Sequence, residues 1–545
     1  MRQDSPLRPS AGGPPRSGAN QTMPSSGPVR VPGWAYPIVT LLSLLIGATA
    51  IVRGTRAVQV VTDSDLTNFF FKSADYILRG DPWHMYAVRA SGLYPNYNPP
   101  LSIFLMAPLL EIGNAMGFAK NYGEQITIVS LPFSLFVPLL GFVVLTVLRR
   151  LYPEMPEAQR LLAYMLIVLS PLTWQSIATW YHLEQPMMLA LLVAALLTFQ
   201  RRQEGLAGVL AGLALLTRTT ALIPLIALGV LLLAAGEWRS LLKLVIPTGL
   251  VAGLGMAPFF LFDRRDAMYS FVTWRGSAPI GGNSVWSVFA YGGTSGIRHT
   301  LAAVAERLDM PSVVLVVAVV AFIAVRRWHI SAYAPEAWAI LTIAALTVPM
   351  LSKTNWPYYY LEPFVLLVIW EFATMHDRVA GVWRWPVLTI AFLLVAATLS
   401  QYIGLQSVGA LDRISVGLLE FVSMAAFAVA VWKRLQAAKE PIVRVMPAWQ
   451  PVPPDTPPVA GGLPTADRSP AGWSLRSPDG TPQVPSVTPA PGTPLWPGPS
   501  QPPARTNPVR PDLDRPSTPP PTEPWPGSQG NWPDARDAWP PRPAQ

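Results

Sequence analysis

Residues 205–228 read GLAGVLAGLALLTRTTALIPLIAL. Two apolar runs flank a single charged side chain, Arg218, with threonines on either side of it. Each run approaches the roughly 20 residues that a helix needs to cross a bilayer. An ionisable group between two such runs is costly at membrane depth and needs a reason to be there. The same texture recurs in both directions. Apolar runs lie near 33–52, 126–148, 160–178, 183–200, 204–218, 221–236, 241–262, 311–325, 336–351, 357–375, 384–403 and 414–433. The expected fold is all-α and integral to the membrane, a polytopic bundle of about 11–13 transmembrane helices.

Composition agrees. The 545 residues are 51% hydrophobic and 13% charged, with mean hydropathy +0.33, against about 25% charged in soluble domains. With no cysteine, a disulfide scaffold, a Cys-ligated zinc and a thiol nucleophile are excluded. The net charge of +9 belongs on cytoplasmic loops of such a chain and does not call for nucleic acid. About half of the 60 prolines fall after residue 445. Segments such as PSTPPPTEPWPG (516–527) lack the apolar residues that offset ordering entropy. The expected organisation is a disordered basic N-terminus (1–30), a transmembrane domain (31–440) and a disordered Pro-rich cytoplasmic tail (441–545) able to recruit protein partners. Arg53 and Arg56 follow the first span without a small-residue cleavage site, so it is not a cleavable signal.

Arg149–Arg150, Arg201–Arg202, Arg326–Arg327 and Lys433–Arg434 mark the cytoplasmic side by the positive-inside rule. Both termini then lie in the cytoplasm. The stretches 53–98, 263–300 and 351–357 and the turn 178–184 lie outside. NPPLSIFLMAPLLEIGN (98–114) is short and broken by proline, and reads as re-entrant.

The ionisable groups gather on that outer side. In VTDSDLTNFFFKSADYILRGDPWHMY (61–86), apolar positions from Leu66 to Leu78 recur at helical spacing, the pattern of an amphipathic helix in the membrane interface. Asp65 stands at its start, where an N-cap and a functional carboxylate are both open. Asp81 before Pro82 reads as turn chemistry. Aromatic residues also collect outside, either as an interfacial belt or as platforms for sugar rings. TWYHLEQPMMLALL (179–192) puts His182, Glu184 and Gln185 at the outer end of a span. SKTNWPYYYLEPF (352–364) sets Lys353 and Glu362 around a tyrosine cluster. Arg218 and Lys353 break the positive-inside pattern. They either snorkel to headgroups or bind an anion such as a lipid phosphate. Nucleotide-binding, GxSxG and HExxH motifs are absent from the sequence.

Asp65, Phe69 or Phe70, Ala74, Leu78, Gly80, Pro82 and Tyr86, followed by Tyr97, Pro99, Pro100, Leu101, Pro108 and Leu109, form a pattern. It resembles the polytopic glycosyltransferases of the GT-C superfamily. It is most similar to the bacterial polyprenyl-phosphate-mannose-dependent α-mannosyltransferases, glycosyltransferase family 87. The Gly-rich span ending in Arg218, the segment GGNSVWSVF (281–289) and the segment 352–364 resemble further parts of that family, so the likeness covers about 33–435. The sequence departs from the pattern where Phe69 or Phe70 replaces Tyr, where NSVW lacks a Gln, and where Gln185 replaces an acidic residue.

The resemblance implies inverting transfer of a sugar, mannose by family, from a polyprenyl-phosphate carrier to an envelope glycan or glycolipid at the outer face of the plasma membrane. It implies Asp65 as general base with Asp63 second, and no metal or cofactor beyond the lipid-linked donor. Arg218 and Lys353 would meet the phosphate, with His182, Glu184, Tyr97, Asn283 and Tyr359 in the substrate site. The competing class is a transporter or lipid flippase without covalent chemistry. Against it, the sequence shows no internal repeat, and its ionisable residues gather at one face.

Overall fold

Each expected span lies on helix. The computed structural model describes residues 31–58, 66–87, 96–274, 280, 284–291, 295–374, 376–377, 382–383, 385–404 and 410–439. The two expected disordered ends, 1–30 and 441–545, lie outside these residues.

The chain begins with α1 (Ala35–Val58), then a π-helical turn (Leu66–Phe71) that runs into α2 (Lys72–Leu78). Next come α3 (Pro100–Ala115), α4 (Tyr122–Phe133), α5 (Phe136–Leu151), α6 (Glu157–Val168) and α7 (Pro171–Ala178). They are followed by α8 (Glu184–Gln200), α9 (Glu204–Thr217), α10 (Leu222–Ala234), α11 (Trp238–Phe262), α12 (Arg264–Met268) and α13 (Ser287–Tyr291). The remainder is α14 (Ser295–Trp328), α15 (Ala337–Leu351), α16 (Leu361–Thr374), α17 (Val387–Gly404) and α18 (Ala410–Lys439). Between α16 and α17 a two-residue antiparallel ladder pairs β1 (His376–Asp377) with β2 (Val382–Trp383).

Prolines divide two of the expected spans. The run 126–148 becomes α4 and α5, separated at Ser134 and Leu135, because Pro138 has no N–H to offer the Ser134 carbonyl. The run 160–178 becomes α6 and α7, broken at Pro171. Side chains take the freed carbonyls. Thr173 Oγ1 donates to Ile167 O at 3.0 Å, and both Trp174 Nε1 (2.8 Å) and Ser43 Oγ (2.6 Å) donate to Val168 O. Satisfying backbone groups inside the protein is what makes such a break tolerable at membrane depth. Counting each of these pairs as one, six helices among the described residues are long and apolar enough to cross a membrane. The sequence underestimates one of these, since α14 runs 34 residues through what read as the end of an outer loop.

Burial sorts the helices in a way that hydropathy does not. Almost every side chain of α15 and α16 is buried. In α11, Leu250, Leu254 and Leu261 are 58%, 71% and 78% exposed, as a lipid-facing helix should be. The other face of α11 packs on α9, where glycine sets the approach. A Cβ on Gly208 would stand 2.4 Å from Leu244 O, and one on Gly212 would stand 2.6 Å from Val251 Cβ. Small residues four apart let backbones close up where water supplies no hydrophobic drive. Thr248 Oγ1 crosses the contact to Gly208 O at 3.1 Å.

The 66–78 segment is amphipathic as expected, but its apolar face meets protein. Leu66, Phe69, Phe70, Ser73 and Ala74 are buried, while Asp75 and Arg79 face outward. The segment 98–114 supplies most of α3 (Pro100–Ala115), with Pro108 inside it. Its N-terminal approach is held by a buried network in which Asn96 Nδ2 donates to Ser73 Oγ (2.7 Å) and Ser73 Oγ donates to Met85 O (2.7 Å).

Candidate active site

Three helix ends converge on one buried ion cluster. The turn between α7 and α8 passes through Tyr181, whose φ of 55° is left-handed, and delivers His182 and then Glu184 at the first turn of α8. Arg218 follows α9 in an extended conformation (φ −159°, ψ 135°). It therefore sits in the gap before the 3-10 turn Thr219–Ala221. Another 3-10 turn, Pro357–Tyr360, opens α16.

All three ionisable side chains are buried, with Glu184 at 0%, His182 at 3% and Arg218 at 6% exposure. Arg218 Nη1 donates to Glu184 Oε1. His182 Nδ1 lies 2.8 Å from the same oxygen and 2.9 Å from Arg218 Nη1. Tyr358 covers the cluster, its ring centroid 3.6 Å from that of His182 and 4.7 Å from the guanidinium carbon. The Tyr359 ring lies 5.5 Å from that carbon. Tyr97 is within electrostatic reach of Arg218, and its ring packs on Phe69 at 5.7 Å, which ties the cluster to the first long loop. Glu362, also buried, faces Arg218 and Thr220. Buried charges persist when paired and hydrogen-bonded, and this arrangement holds a guanidinium and a carboxylate ready for a polar ligand.

A second polar nest lies further along the same segment. Lys353 Nζ donates to Glu306 O at 3.1 Å, and its backbone N–H to Asp309 Oδ2 at 3.4 Å. Asn355 Nδ2 and Tyr360 Oη both donate to Glu420 Oε1 on α18. The consecutive tyrosines thus serve two clusters: 358 and 359 meet Arg218, and 360 meets Glu420.

Outside the spans, His84 Nδ1 and Asp81 Oδ1 are 2.6 Å apart. That hydrogen bond lifts the imidazole above the ordinary histidine value. Nearby, burial raises the carboxyl of Asp263, with the charge of Asp266 adding to it.

Residues 96–352 match the family model of Glycosyltransferase family 87. The chain is a membrane glycosyltransferase. No curated protein sequence matches it. Among solved structures it is similar to ArnT from Cupriavidus metallidurans bound to undecaprenyl phosphate. That match has 14% identity, a TM-score of 0.41, and coverage of 75% of this chain and 79% of that one.

In this glycosyltransferase the structure brings together five of the residues singled out from sequence: His182, Glu184, Arg218, Tyr359 and, at longer reach, Tyr97. Lys353 joins the second nest. Asp63, Asp65 and Asn283 lie outside the described residues. One expectation is corrected: Arg218, which reads as a lone cation between apolar runs, is ion-paired with Glu184, a residue 34 positions away that sequence cannot put beside it. Sequence reasoning missed Glu420 and Asp309. Glu420 is the one carboxylate in the apolar run 414–433, whereas Asp309 stands close to Glu306 and Arg307 and gives no such signal.

Proposed function

We propose that the enzyme transfers a sugar, mannose, from a polyprenyl-phosphate carrier to an envelope glycan or glycolipid acceptor, with inversion, at the outer face of the plasma membrane. The observation that carries this reading is the buried Arg218–Glu184–His182 cluster under Tyr358, built within the segment that matches the glycosyltransferase family. A polar nest among apolar helices suits a substrate whose tail is lipid and whose head is polar. In the reaction, a carboxylate takes the proton of the acceptor hydroxyl. The freed oxygen attacks C1 of the sugar, the C1–O bond to phosphate breaks, and polyprenyl phosphate leaves. Asp65 is the proposed base, with Asp63 as the second choice. Arg218 and Lys353 are the buried cations that could meet the phosphate. No nucleotide sugar is then needed outside the cell. Both termini lie in the cytoplasm in this reading, where the Pro-rich tail is free to engage protein partners.

Asp65→Asn tests the assignment. Transfer from a polyprenyl-phosphate donor is abolished in reconstituted enzyme, while expression and membrane insertion stay normal. Full activity in that variant rejects the base.

A further inference from the structure

The polar atoms around Arg218 that lack a protein partner are of a telling kind. Glu184 Oε2, Glu362 Oε1 and Arg218 Nε are buried without a hydrogen bond, and so are both amide atoms of Gln185, the next residue on α8. Gln185 and Glu184 are 0% exposed and Glu362 is 3% exposed. Buried polar groups are almost always paired in native proteins, so the orphans on Glu184, Glu362 and Arg218 point to a polar ligand, and those on Gln185 to one that also reaches the adjoining position of α8. Three of these atoms accept hydrogen bonds (Glu184 Oε2, Glu362 Oε1, Gln185 Oε1) and two donate (Arg218 Nε, Gln185 Nε2), while the hydroxyl of Thr220, beside Glu362 and also without a partner, can do either.

A phosphate offers only acceptors. It would satisfy the two donors and leave the three acceptors orphaned. It would also add a second negative group beside the Glu184 carboxylate, around a guanidinium already paired with Glu184. Like charges held together in a poorly solvated site are strongly disfavoured. A hydroxyl both donates and accepts, so neighbouring hydroxyls on one ring can meet acceptors and donors together at no cost in charge. The tyrosines over the cluster, Tyr358 and Tyr359, add apolar ring surface of the kind that packs against C–H faces.

We propose that the Arg218 pocket is a sugar-hydroxyl subsite, in which Gln185 and Glu362 hydrogen-bond the hydroxyls of a glycosyl ring, and that the lipid phosphate binds elsewhere. This rests on the glycosyl transfer proposed above. It alters that reading in one respect, by removing Arg218 from the phosphate.

The test uses the full-length enzyme in proteoliposomes with polyprenyl-phosphate mannose, an alkyl mannoside acceptor, and single-deoxy versions of each. No product from any polyprenyl-phosphate sugar with the wild type overturns the transfer reading itself, before any variant is compared. With turnover established, the near-isosteric variants Gln185→Leu and Glu362→Gln are measured. They lie on different helices, so one remains informative if the other misfolds. Sites built to bond a hydroxyl reject analogues lacking it. The wild type therefore discriminates against at least one deoxy compound, and the variants reduce that discrimination by roughly tenfold. A change in the donor series places the donor ring in the pocket, and a change in the acceptor series places the acceptor ring there. Inhibition by sugar-free polyprenyl phosphate stays within about twofold of wild type, below the tenfold expected for a lost bond to a charged group. Unchanged discrimination in both series overturns the proposal. So does tenfold weaker inhibition by the sugar-free lipid, whatever the discrimination does.

Discussion

Among the described residues, two glutamates with fully buried side chains pair with arginines, Glu371 with Arg434 and Glu184 with Arg218, and the pairs differ in how completely they are bonded. Glu371 on α16 accepts from Arg434 (2.7 Å) and Leu388 N (3.1 Å) on Oε1, and from Thr389 N (2.6 Å) on Oε2. Both oxygens are satisfied, and the carboxylate sits at the N-terminus of α17, where the helix dipole favours it. Glu184 has one oxygen on Arg218 and His182 and the other on nothing. The first pair is a finished joint between three helices. The second leaves one carboxylate oxygen without a bond, which is the ground for the sugar subsite proposed above. The lesson is that burial and ion pairing alone do not separate structure from function, whereas the balance of donors and acceptors does.

The sharpest way to break this contrast is at the carboxylates. Glu184→Gln removes a charged acceptor from the site, and transfer is expected to fall by about 100-fold in reconstituted enzyme. Glu371→Ala leaves two backbone donors and Arg434 without their acceptor, at a cost of about 3–5 kcal/mol. That loss appears as a large drop in Tm in detergent, while kcat per folded molecule stays within about twofold. If Glu371→Ala instead loses activity without losing stability, the contrast fails. A smaller effect tests the packing that holds α9, and with it Arg218, against α11. Gly212→Leu drives a side chain into Val251 and is expected to cost about 1–3 kcal/mol, read as a lower Tm.

The smallest effect is at His84. Its bond to Asp81 raises the folded-state pKa above the unfolded one. Any stabilisation is therefore full at pH below the unfolded value and is lost as pH rises through the folded value. Both side chains are about half exposed, so solvent screens the pair. The expected result is that Asp81→Asn lowers the His84 pKa measured by NMR and leaves transfer unchanged.

The bundle was legible in sequence because lipid imposes a long apolar period that few soluble folds share. Its interruptions were less so. The break at Pro171 depends on Ser43, Thr173 and Trp174 reaching the freed carbonyls, and Ser43 comes from another span. The site was half legible. Charges that defy the positive-inside pattern pointed to Arg218 and Lys353, and a polar run at a span end pointed to His182 and Glu184. Pairing was hidden, since Glu184 meets Arg218 and Tyr360 meets Glu420 across 34 and 60 residues. The likeness of α11 and α16 was equally misleading. Both are largely apolar, yet one faces outward and the other is core, because hydropathy cannot tell lipid from protein as a neighbour.

The shortness of α9 has a consequence for substrate choice. Its 14 residues rise about 21 Å, against a hydrocarbon layer about 30 Å thick. Starting from the boundary marked by Arg201 and Arg202, such a helix ends about 9 Å short of the opposite one. In the proposed orientation Arg218 then lies below the headgroups. A sugar carried on a water-soluble nucleotide would have to leave the solvent to reach that depth, whereas a head tethered to an isoprenoid chain is already anchored beside it.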